Sequence, residues 1–339
     1  MSLPSRTCLI VVPTVNEAEH IGGLLTGLLP EAEALDASII VADGGSDDGT
    51  LDIVAEFARR SWRIVLLHNH KRIQSAAINL AVERHGTGID YVIRIDAHGA
   101  YPPDYCRVLV REAEERDVDC VVVPMKTVGV GLFQRAVATA QNSVVGTGGS
   151  EHRTGKAGRF VNHGHHALMS IAAYRAVGGY DETFRHNEDA ELDYRFSRAG
   201  YRIWLTDATE MTYYPRSSVS GLSKQYFGYG RGRARNLLKH RMRPRLRQML
   251  PLAIVPAAAL APLAVVHWCA LVPLGMWAGA CLALGGLSAM KMAKRYDLPA
   301  QGAPLVGISA MIMQMAWSTG FWLHLAQSLP ANRRTPDSA

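Results

Sequence analysis

Short apolar runs rich in β-branched residues alternate with amphipathic stretches along the first part of the chain. This alternation of strand-like and helical patterns predicts parallel strands that are joined by right-handed helical crossovers. The predicted strands are residues 8–12, 38–42, 64–68 and 91–95, and the predicted helices are residues 18–29 and 50–60. The first half of the chain is therefore expected to form an α/β domain around a parallel sheet.

Polar segments follow three of these strands at the points where the strands end. They are PTVNE at residues 13–17, DGGSDDGT at residues 43–50 and DAH at residues 96–98. Ligands of open α/β sheets bind at the carboxyl ends of the strands, so these acidic segments should converge on one site. Clustered carboxylates need a compensating cation or hydrogen-bond donors, and a nucleotide diphosphate with its divalent metal offers both. The sequence contains neither GxGxxG nor GxxxxGK[ST], which argues against the dinucleotide and P-loop modes of phosphate binding.

A long apolar region occupies the C-terminal part of the chain. Residues 249–290 contain only one histidine and two cysteines as ionisable side chains. Because a bilayer core requires about 20 apolar residues per helix, this region can hold two membrane crossings with a turn near residues 267–274. A third apolar stretch, residues 303–327, is either a further crossing or an interfacial or re-entrant helix, because it contains several polar residues. The alternative is a set of core helices in a soluble protein, although uninterrupted runs of this length are rare in globular cores.

Basic residues flank this apolar region on both sides. Four arginines precede it between residues 241 and 247, and Lys291, Lys294 and Arg295 follow it. Lys and Arg next to membrane helices favour the cytoplasmic side, so both flanks are expected there. The N-terminal residues show no signal-peptide pattern, and the globular part is therefore also expected in the cytoplasm.

The net charge of +6 does not indicate nucleic-acid binding. The basic residues are either spread out or concentrated just before the apolar region, where anionic lipid head groups are the better partner. The five cysteines occur singly and without metal-ligand spacing, so they are expected to be reduced thiols.

The motifs PTVNE, VADGGSDDGT, RIDAH and RHNEDAELDYRFSRAGY occur in this order within residues 6–235. In these motifs the chain resembles the family 2 glycosyltransferases, whose nucleotide-sugar domain has the GT-A fold. It looks most like the bacterial exopolysaccharide enzymes of the succinoglycan type, which add a sugar to a polyprenyl-diphosphate-linked acceptor. The DAH variant and the C-terminal hydrophobic helices both fit that group.

The resemblance implies a GT-A domain with a Rossmann-like mixed sheet in residues 1–240, followed by C-terminal transmembrane helices. A membrane region with two to three helices is expected in residues 241–330 and a polar tail in residues 331–339. The implied location is the bacterial inner membrane, as a multi-pass protein with a cytoplasmic catalytic domain. The expected partners are a nucleotide-sugar donor, a lipid-linked saccharide acceptor, membrane lipids and other polysaccharide-assembly proteins.

On the donor side, the resemblance assigns Asp43 to the base or ribose of the nucleotide. Four residues of the first loop are expected to line the same pocket: Pro13, Thr14, Val15 and Glu17. Relatives often have tyrosine where this chain has Val15, so base discrimination is expected to depend on Asp43. The local alternative for Asp43 is a turn or a helix N-cap, for which Asp is favoured. Such a local role is expected for Asp47 and Asp48.

Asp96 and His98 occupy the place of the family's Asp-x-Asp metal motif, with histidine instead of the second carboxylate. Alternation in an extended segment puts both side chains on the same side. Asp96 offers a hard oxygen ligand to Mn2+ or Mg2+, and a neutral imidazole suits Mn2+ better. The local alternative is that His98 caps the turn before the two prolines that follow. A divalent cofactor, Mn2+ or Mg2+, is therefore expected.

Glu188 and Asp189 correspond to the Glu-Asp pair on the acceptor side of the family. Inverting transfer needs one base opposite the leaving diphosphate, and the resemblance assigns this role to Asp189. Glu188 is expected to raise the pKa of Asp189 or to orient it through charge and hydrogen bonding. Both carboxylates also favour a helix N-terminus, which would hold Asp189 rigidly.

Two segments between these motifs carry weaker signals. The glycines of residues 146–150, with Arg153, predict a loop next to the donor sugar or acceptor, or a simple surface connection. The three histidines within residues 162–166 are not expected to bind zinc, because no further cysteine or carboxylate has helical ligand spacing. His165 or His166 is a candidate for a hydrogen bond to the acceptor.

A basic segment precedes the apolar region. Many relatives have a Gln-x-x-Arg-Trp motif at this point, whose arginine neutralises the departing diphosphate, but that spacing is absent here. Arg231 or Arg233 is a candidate for the role, since the leaving group needs a cation beyond the metal. The alternative is an amphipathic interfacial stretch that binds lipid head groups.

The sequence thus predicts an inverting glycosyltransferase that moves a hexose from a nucleotide-diphospho-sugar, with UDP favoured, to a polyprenyl-diphosphate-linked saccharide in exopolysaccharide biosynthesis. One alternative is transfer of a sugar onto polyprenyl phosphate itself, which the motifs barely separate from the first activity. Another is a non-catalytic scaffold that binds nucleotide sugar in a polysaccharide assembly complex. The presence of Asp43, Asp96 and Asp189 argues against the scaffold.

Overall fold

The computed structural model describes residues 6–148, 157–244 and 246–329. The chain divides into two compact units, of which the first comprises residues 1–128 and 149–215 and the second comprises residues 129–148 and 216–339. The predicted domain limits at residues 240 and 330 stay a prediction, and the polar tail lies outside the described residues.

The helices and strands of the first unit alternate through its first half, and most helices of the second unit come last in the chain. In chain order the elements are β1 (Cys8–Thr14), α1 (Ala18–Ala34), β2 (Ser38–Asp43), α2 (Thr50–Arg60), β3 (Ile64–His68), α3 (Gln74–His85), β4 (Tyr91–Arg94), α4 (Tyr105–Arg116), β5 (Cys120–Val123), β6 (Met125–Thr127), α5 (Leu132–Gln141), α6 (Val144–Thr147), β7 (Arg159–Phe160), β8 (His165–Ser170), α7 (Ile171–Ala176), α8 (Glu188–Arg198), β9 (Ile203–Leu205), β10 (Met211–Tyr213), α9 (Val219–Lys239), α10 (Leu246–Leu260), α11 (Val272–Tyr296) and α12 (Ala303–Ser328).

The first unit contains an eight-stranded mixed sheet with the strand order β3-β2-β1-β4-β8-β5-β9-β7. The four predicted strands, β1 to β4, are parallel to one another as expected. Strand β8 then runs antiparallel between β4 and β5, which makes the sheet mixed. A separate pair of parallel strands, β6 and β10, completes the unit.

Both faces of the central strands are buried, which explains why their sequences are continuous apolar runs. In β1, Cys8, Ile10 and Val12 pack into one core cluster, whereas Leu9 and Val11 pack into the cluster on the opposite face. Helices α1 and α4 cover the first face, and α3, α7 and α8 contribute to the second. The sheet thereby fixes the positions of its strand ends. The polar loops begin at the edge formed by the carboxyl ends of the parallel strands.

The second unit is helical in its described residues, and its longest helices pack through glycines. A Cβ atom at Gly230 of α9 would collide with the carbonyl oxygen of Trp317 in α12, and a Cβ at Gly320 would collide with the carbonyl of Phe227. The backbones of α9 and α12 therefore approach so closely that only glycine fits at these two positions. The third apolar stretch of the sequence, α12, is thus a packed helix of this unit.

Two helical segments of the second unit are long and apolar enough to cross a membrane. They are Gln248–Val265 and Trp268–Tyr296, with mean hydropathies of 1.8 and 1.7 over the best windows, and only 11% of each window is buried. A core helix of a soluble protein would be mostly buried, so this exposure favours membrane association. The helical path breaks at His267, whose backbone is extended, at the start of the predicted turn.

Candidate active site

The first two predicted loops lie next to each other at the carboxyl edge of the sheet. Thr14 and Asp43 end β1 and β2 as register partners, and the amide of Gly44 donates to the carbonyl of Thr14 at 2.8 Å. A Cβ atom on Gly44 would lie 2.5 Å from Cγ2 of Val15, so a larger residue after Asp43 would displace the Val15 side chain. The two loops form one continuous surface.

The carboxylate of Asp43 is buried and bonded within its own loop. Its Oδ2 accepts the amides of Gly45 at 2.6 Å and Ser46 at 3.0 Å, and its Oδ1 accepts the Ser46 hydroxyl. The local turn interaction is therefore present, and a contact between Asp43 and a nucleotide stays a prediction. Asp48 has the predicted local role, because it accepts the first amides of α1 and α2 at 3.0 Å each.

The two predicted metal ligands have different partners. Nδ1 of His98 lies 2.9 Å from Oε1 of Glu17, and the His98 ring is 45% exposed. Oδ1 of Asp96 accepts hydrogen bonds from Gln74 at 2.7 Å and from Arg94 at 3.2 Å. In the described part of the chain, no group of three or more His, Cys, Asp and Glu side chains is arranged to hold a metal ion. The role of Asp96 and His98 as ligands stays a prediction.

A buried arginine links the metal motif to the predicted base. The side chain of Arg94, at the end of β4, is only 5% exposed, and it contacts two carboxylates. Its Nε donates to Asp96 at 3.2 Å and its Nη1 donates to Asp189 at 2.7 Å. Burial alone would raise the pKa of Asp96, but Arg94, His165 and His98 outweigh burial and hold this pKa below its ordinary value.

Asp189 lies in the first turn of α8, as the sequence predicts. The residue before this helix, Asn187, has a left-handed backbone with φ 64°, which Asn tolerates better than most side chains. Oδ1 of Asp189 accepts the hydroxyl of Tyr180 at 2.9 Å in addition to Arg94, and Nδ1 of His166 lies 3.4 Å away. Burial would raise the pKa of Asp189, but Arg94 and His166 hold it well below its usual range. The carboxylate is therefore ionised at neutral pH.

The pKa of Glu188 is shifted in the opposite direction to the pKa of Asp189. Burial, followed by the charge of Asp189, raises the pKa of Glu188 to about 7. Its Oε2 is buried without a hydrogen-bond partner among the described residues. Glu188 is expected from the sequence to raise the pKa of Asp189 or to orient it. The pKa of Asp189 is lowered, because Arg94 and His166 outweigh burial, and the orienting role of Glu188 stays a prediction.

The three histidines of β8 and the preceding turn face carboxylates. Nε2 of His165 lies 3.5 Å from Asp96, and burial lowers the pKa of His165 to about 4. His166 is fully buried between Asp193 and Tyr180. His163 contacts the other oxygen of Asp193 at 2.7 Å. Part of the predicted glycine-rich loop, residues 149–156 with Arg153, lies outside the described residues.

Sequence reasoning missed three residues that hold this cluster together. Arg94 was detectable, because a charged residue inside a strand that is buried on both faces requires a partner. Asp193 stands four positions after Asp189 on α8, a spacing that places both on one helix face. Tyr180 carries no comparable signal, since a buried tyrosine is common in any core.

The two candidate arginines for the leaving group lie on α9, in the second unit. Nη2 of Arg233 lies 3.5 Å from Oε1 of Gln248. The assignment of Arg231 or Arg233 to the diphosphate stays a prediction from the sequence.

Comparisons with known proteins agree with this fold. The family model described as Glycosyl transferase family 2 matches residues 9–178. The succinoglycan biosynthesis protein ExoA of Rhizobium meliloti (strain 1021) is 56% identical over 323 residues, which are 95% of this chain and 96% of that protein. A dolichyl N-acetyl-alpha-D-glucosaminyl phosphate 3-beta-D-2,3-diacetamido-2,3-dideoxy-beta-D-glucuronosyltransferase of Methanococcus voltae is 26% identical over 236 residues, 65% of this chain and 71% of that protein.

Among solved structures, the mannosyltransferase PcManGT from Pyrobaculum calidifontis, in complex with GDP-Man and Mn2+, has a similar fold. The TM-score is 0.62 at 18% sequence identity, over 96% of this chain and 89% of that chain. The expected fold class, a GT-A mixed sheet followed by C-terminal helices, is confirmed.

The raised pKa of Glu188 predicts a pH-dependent loss of stability. Between its ordinary value of 4.5 and about 7, the folded chain binds more protons at this site than the unfolded chain. The contribution of Glu188 to the free energy of unfolding should therefore decrease as the pH rises through this window, by on the order of 3 kcal/mol. This contribution is the difference between wild type and Glu188→Gln. The measurement is the melting temperature of both proteins in detergent between pH 5 and pH 8.

Glu182→Gln is the matched control, because burial raises the pKa of Glu182 but Lys71 and Asn79 together outweigh burial and lower this pKa. The control should keep the loss of stability with rising pH that wild type shows. Parallel pH dependences for wild type and Glu188→Gln would contradict the assigned protonation state of Glu188.

Proposed function

Because the chain belongs to the family 2 glycosyltransferases, we propose that it transfers a hexose from a nucleotide-diphospho-sugar, with UDP as the nucleotide, to a polyprenyl-diphosphate-linked saccharide. The transfer inverts the configuration at the anomeric carbon and belongs to exopolysaccharide biosynthesis. One observation carries the proposal: the 56% identity to a succinoglycan biosynthesis protein extends over nearly the whole of both chains. The relative from Methanococcus voltae, whose name describes a lipid-linked sugar phosphate, supports a lipid-linked acceptor.

The nucleotide would bind at the surface that the first two loops form. Asp43 and the backbone of Pro13 to Val15 border this surface, with Glu17 at the start of the next helix. The side chain of Val15 is 47% exposed, so it offers an aliphatic contact to the base in place of aromatic stacking. Recognition of the base and ribose would then depend on hydrogen bonds from the loops.

The side chains at the metal motif fit a divalent cation. Oδ2 of Asp96 has His165 as its nearest basic partner at 3.5 Å, and this histidine is neutral at pH 7 because its pKa is about 4. Asp96 and His98 would hold the ion, and Glu17 lies against His98. Carboxylate oxygen and imidazole nitrogen together suit Mn2+, and Mg2+ accepts the oxygen. When bound, the ion would neutralise charge on the diphosphate.

Asp189 is the proposed base. Its Oδ1 is occupied by donors, whereas its Oδ2 accepts no hydrogen bond in the described chain and lies 4.0 Å from Nδ1 of His165. Oδ2 would remove the proton of the acceptor hydroxyl as the hydroxyl oxygen bonds to the anomeric carbon and the carbon–diphosphate bond breaks on the opposite face. A carboxylate with a low pKa suffices, because the attacking hydroxyl becomes acidic as that bond forms. Glu188 precedes Asp189 in the first turn of the same helix and is proposed to orient it.

Membrane association would keep the enzyme at the surface where a lipid-linked acceptor resides. Basic residues stand before the first apolar helix, including Arg241 and Arg243, and in the last turn of the second, where Lys294 and Arg295 lie. We infer a multi-pass arrangement in the bacterial inner membrane with the first unit in the cytoplasm, where nucleotide sugars are found. Anionic lipids, and other proteins of polysaccharide assembly, are the remaining proposed partners.

The activity is tested with full-length protein in detergent, a set of nucleotide sugars and polyprenyl-diphosphate saccharides. We expect release of nucleoside diphosphate only with acceptor and a product longer by one hexose of inverted configuration. Asp189→Asn should lower turnover about 100- to 10,000-fold, the usual loss for a general base, while nucleotide affinity stays within a few-fold. Asp181→Asn, in the preceding loop, is the control that keeps activity. A sugar monophosphate lipid made from polyprenyl phosphate would support the alternative transferase instead.

The metal proposal predicts that turnover requires a divalent cation and that Mn2+ is at least as effective as Mg2+. His98→Asp should shift the preference toward Mg2+, because an oxygen ligand replaces a nitrogen ligand. The same substitution at the exposed His20 should leave the preference unchanged. Full turnover in excess chelator would contradict the requirement for a metal ion. An unchanged metal preference in His98→Asp would contradict the role of His98 as a ligand.

The topology is tested by carbonate extraction and by protease access in inverted membrane vesicles. Full-length protein should stay with the membrane after carbonate, because the apolar helices are held by the hydrocarbon core. Protease should digest the first unit from the cytoplasmic side. Release by carbonate, or protection of residues 1–128, would overturn this arrangement.

A further inference from the structure

A fully buried histidine lies beside the proposed base with both ring nitrogens in use. Nε2 of His166 is 2.6 Å from Oδ1 of Asp193, and Nδ1 is 2.7 Å from the hydroxyl of Tyr180. His166, Asp193 and Tyr180 are all less than 4% exposed. None of these three residues has a role in the chemistry proposed above.

The direction of each hydrogen bond in this group can be assigned from the acceptors at its ends. The hydroxyl of Tyr180 is 2.9 Å from Oδ1 of Asp189, and an ionised carboxylate only accepts, so Tyr180 donates its single proton there. The oxygen of Tyr180 must then accept a hydrogen from Nδ1 of His166. Nε2 of His166 faces the carboxylate of Asp193 and must also donate. Both nitrogens therefore carry a hydrogen, and His166 is an imidazolium.

The charges around this imidazolium are consistent with the assignment. Burial would lower the pKa of His166, but the carboxylates of Asp193 and Asp189 outweigh burial and raise the pKa to about 10. Asp193 has a second partner on its other oxygen, Nδ1 of His163 at 2.7 Å.

We propose that Asp193, His166 and Tyr180 form a directed hydrogen-bond chain that positions Asp189 for catalysis. The chain delivers a fixed positive charge and one hydrogen bond to Oδ1, on the side away from the reacting oxygen. Together with Arg94, it fixes the plane of the carboxylate and leaves Oδ2 for the acceptor hydroxyl. His166, Tyr180 and Asp193 are positioning residues, because they act through Asp189. The inference rests on the proposed role of Asp189 as the base.

A purely structural role would not require this arrangement. The ring of Tyr180 already packs at 5.7 Å from the ring of Tyr174, in an edge-to-face contact that needs no hydroxyl. The hydroxyl of Tyr174 donates to Asn79 and accepts the backbone amide of Tyr180 at 3.2 Å. Asn79 also accepts this amide, at 2.9 Å, so the amide keeps a partner when the Tyr174 hydroxyl is removed. The two tyrosines are thus a matched pair: each is buried and hydrogen-bonded, but only Tyr180 contacts Asp189.

The first test compares Tyr180→Phe with Tyr174→Phe in the full-length protein. Loss of one hydrogen bond to a charged group should lower kcat of Tyr180→Phe about 10- to 100-fold, with KM for the donor within about threefold of wild type. Tyr174→Phe should keep kcat within about threefold. Equal kcat values for the two variants, or a loss that appears only in KM, would overturn the inference while the transferase activity of wild type still stands.

The second test measures the charge of the His166 ring and does not depend on catalytic turnover. Protein labelled with 15N-histidine should give one ring whose two nitrogens are both protonated and do not titrate between about pH 6 and pH 8.5. This signal should change in Tyr180→Phe and persist in Tyr174→Phe. A ring with one unprotonated nitrogen would overturn the inference. Wild type that transfers no sugar, yet shows the charged ring, would instead overturn the proposed function and with it the positioning role.

Discussion

The buried guanidinium of Arg94 is the interaction on which the arrangement of this site depends. A cation inside a sheet that is covered on both faces is costly unless carboxylates surround it. Arg94 has two such partners, Asp96 from the loop after its own strand and Asp189 from the start of a helix that comes 95 residues later. One charge thereby fixes the metal motif and the proposed base relative to each other.

Around this ion pair, the pKa values of neighbouring residues of the same type are shifted in opposite directions. Asp189 is held ionised while Glu188 has a pKa of about 7, and His165 has a pKa of about 4 while His166 has a pKa of about 10. Burial disfavours the charged form in all four groups, so burial cannot explain the difference. The partners explain it: Asp189 faces two cations and His166 faces two anions. Such divergence within a pair is typical of residues that divide acid and base roles.

The local features of the fold could be predicted from the sequence. The parallel strands, the exact limits of α2 and β3, the capping role of Asp48 and the helical start at Asp189 all follow from patterns within a few residues. The antiparallel insertion of β8 and the partners of Arg94 could not be predicted, because they join segments that are distant in sequence. The net lowering of the Asp189 pKa could not be predicted for the same reason, since it is set by Arg94 and His166.

The coupling between Arg94 and Asp189 is measured most directly by a double-mutant cycle, with the free energy of unfolding in detergent as the readout. Breaking a buried ion pair from one side typically costs about 3 to 5 kcal/mol, because the other charge is left without compensation. Arg94→Met alone should therefore be strongly destabilising, and adding Asp189→Asn should recover part of that loss. Such a non-additive result is expected if Arg94 and Asp189 form an energetically coupled pair. Additive effects of Arg94→Met and Asp189→Asn would contradict this coupling. Independent effects mean that no energetically coupled pair holds the proposed base in place.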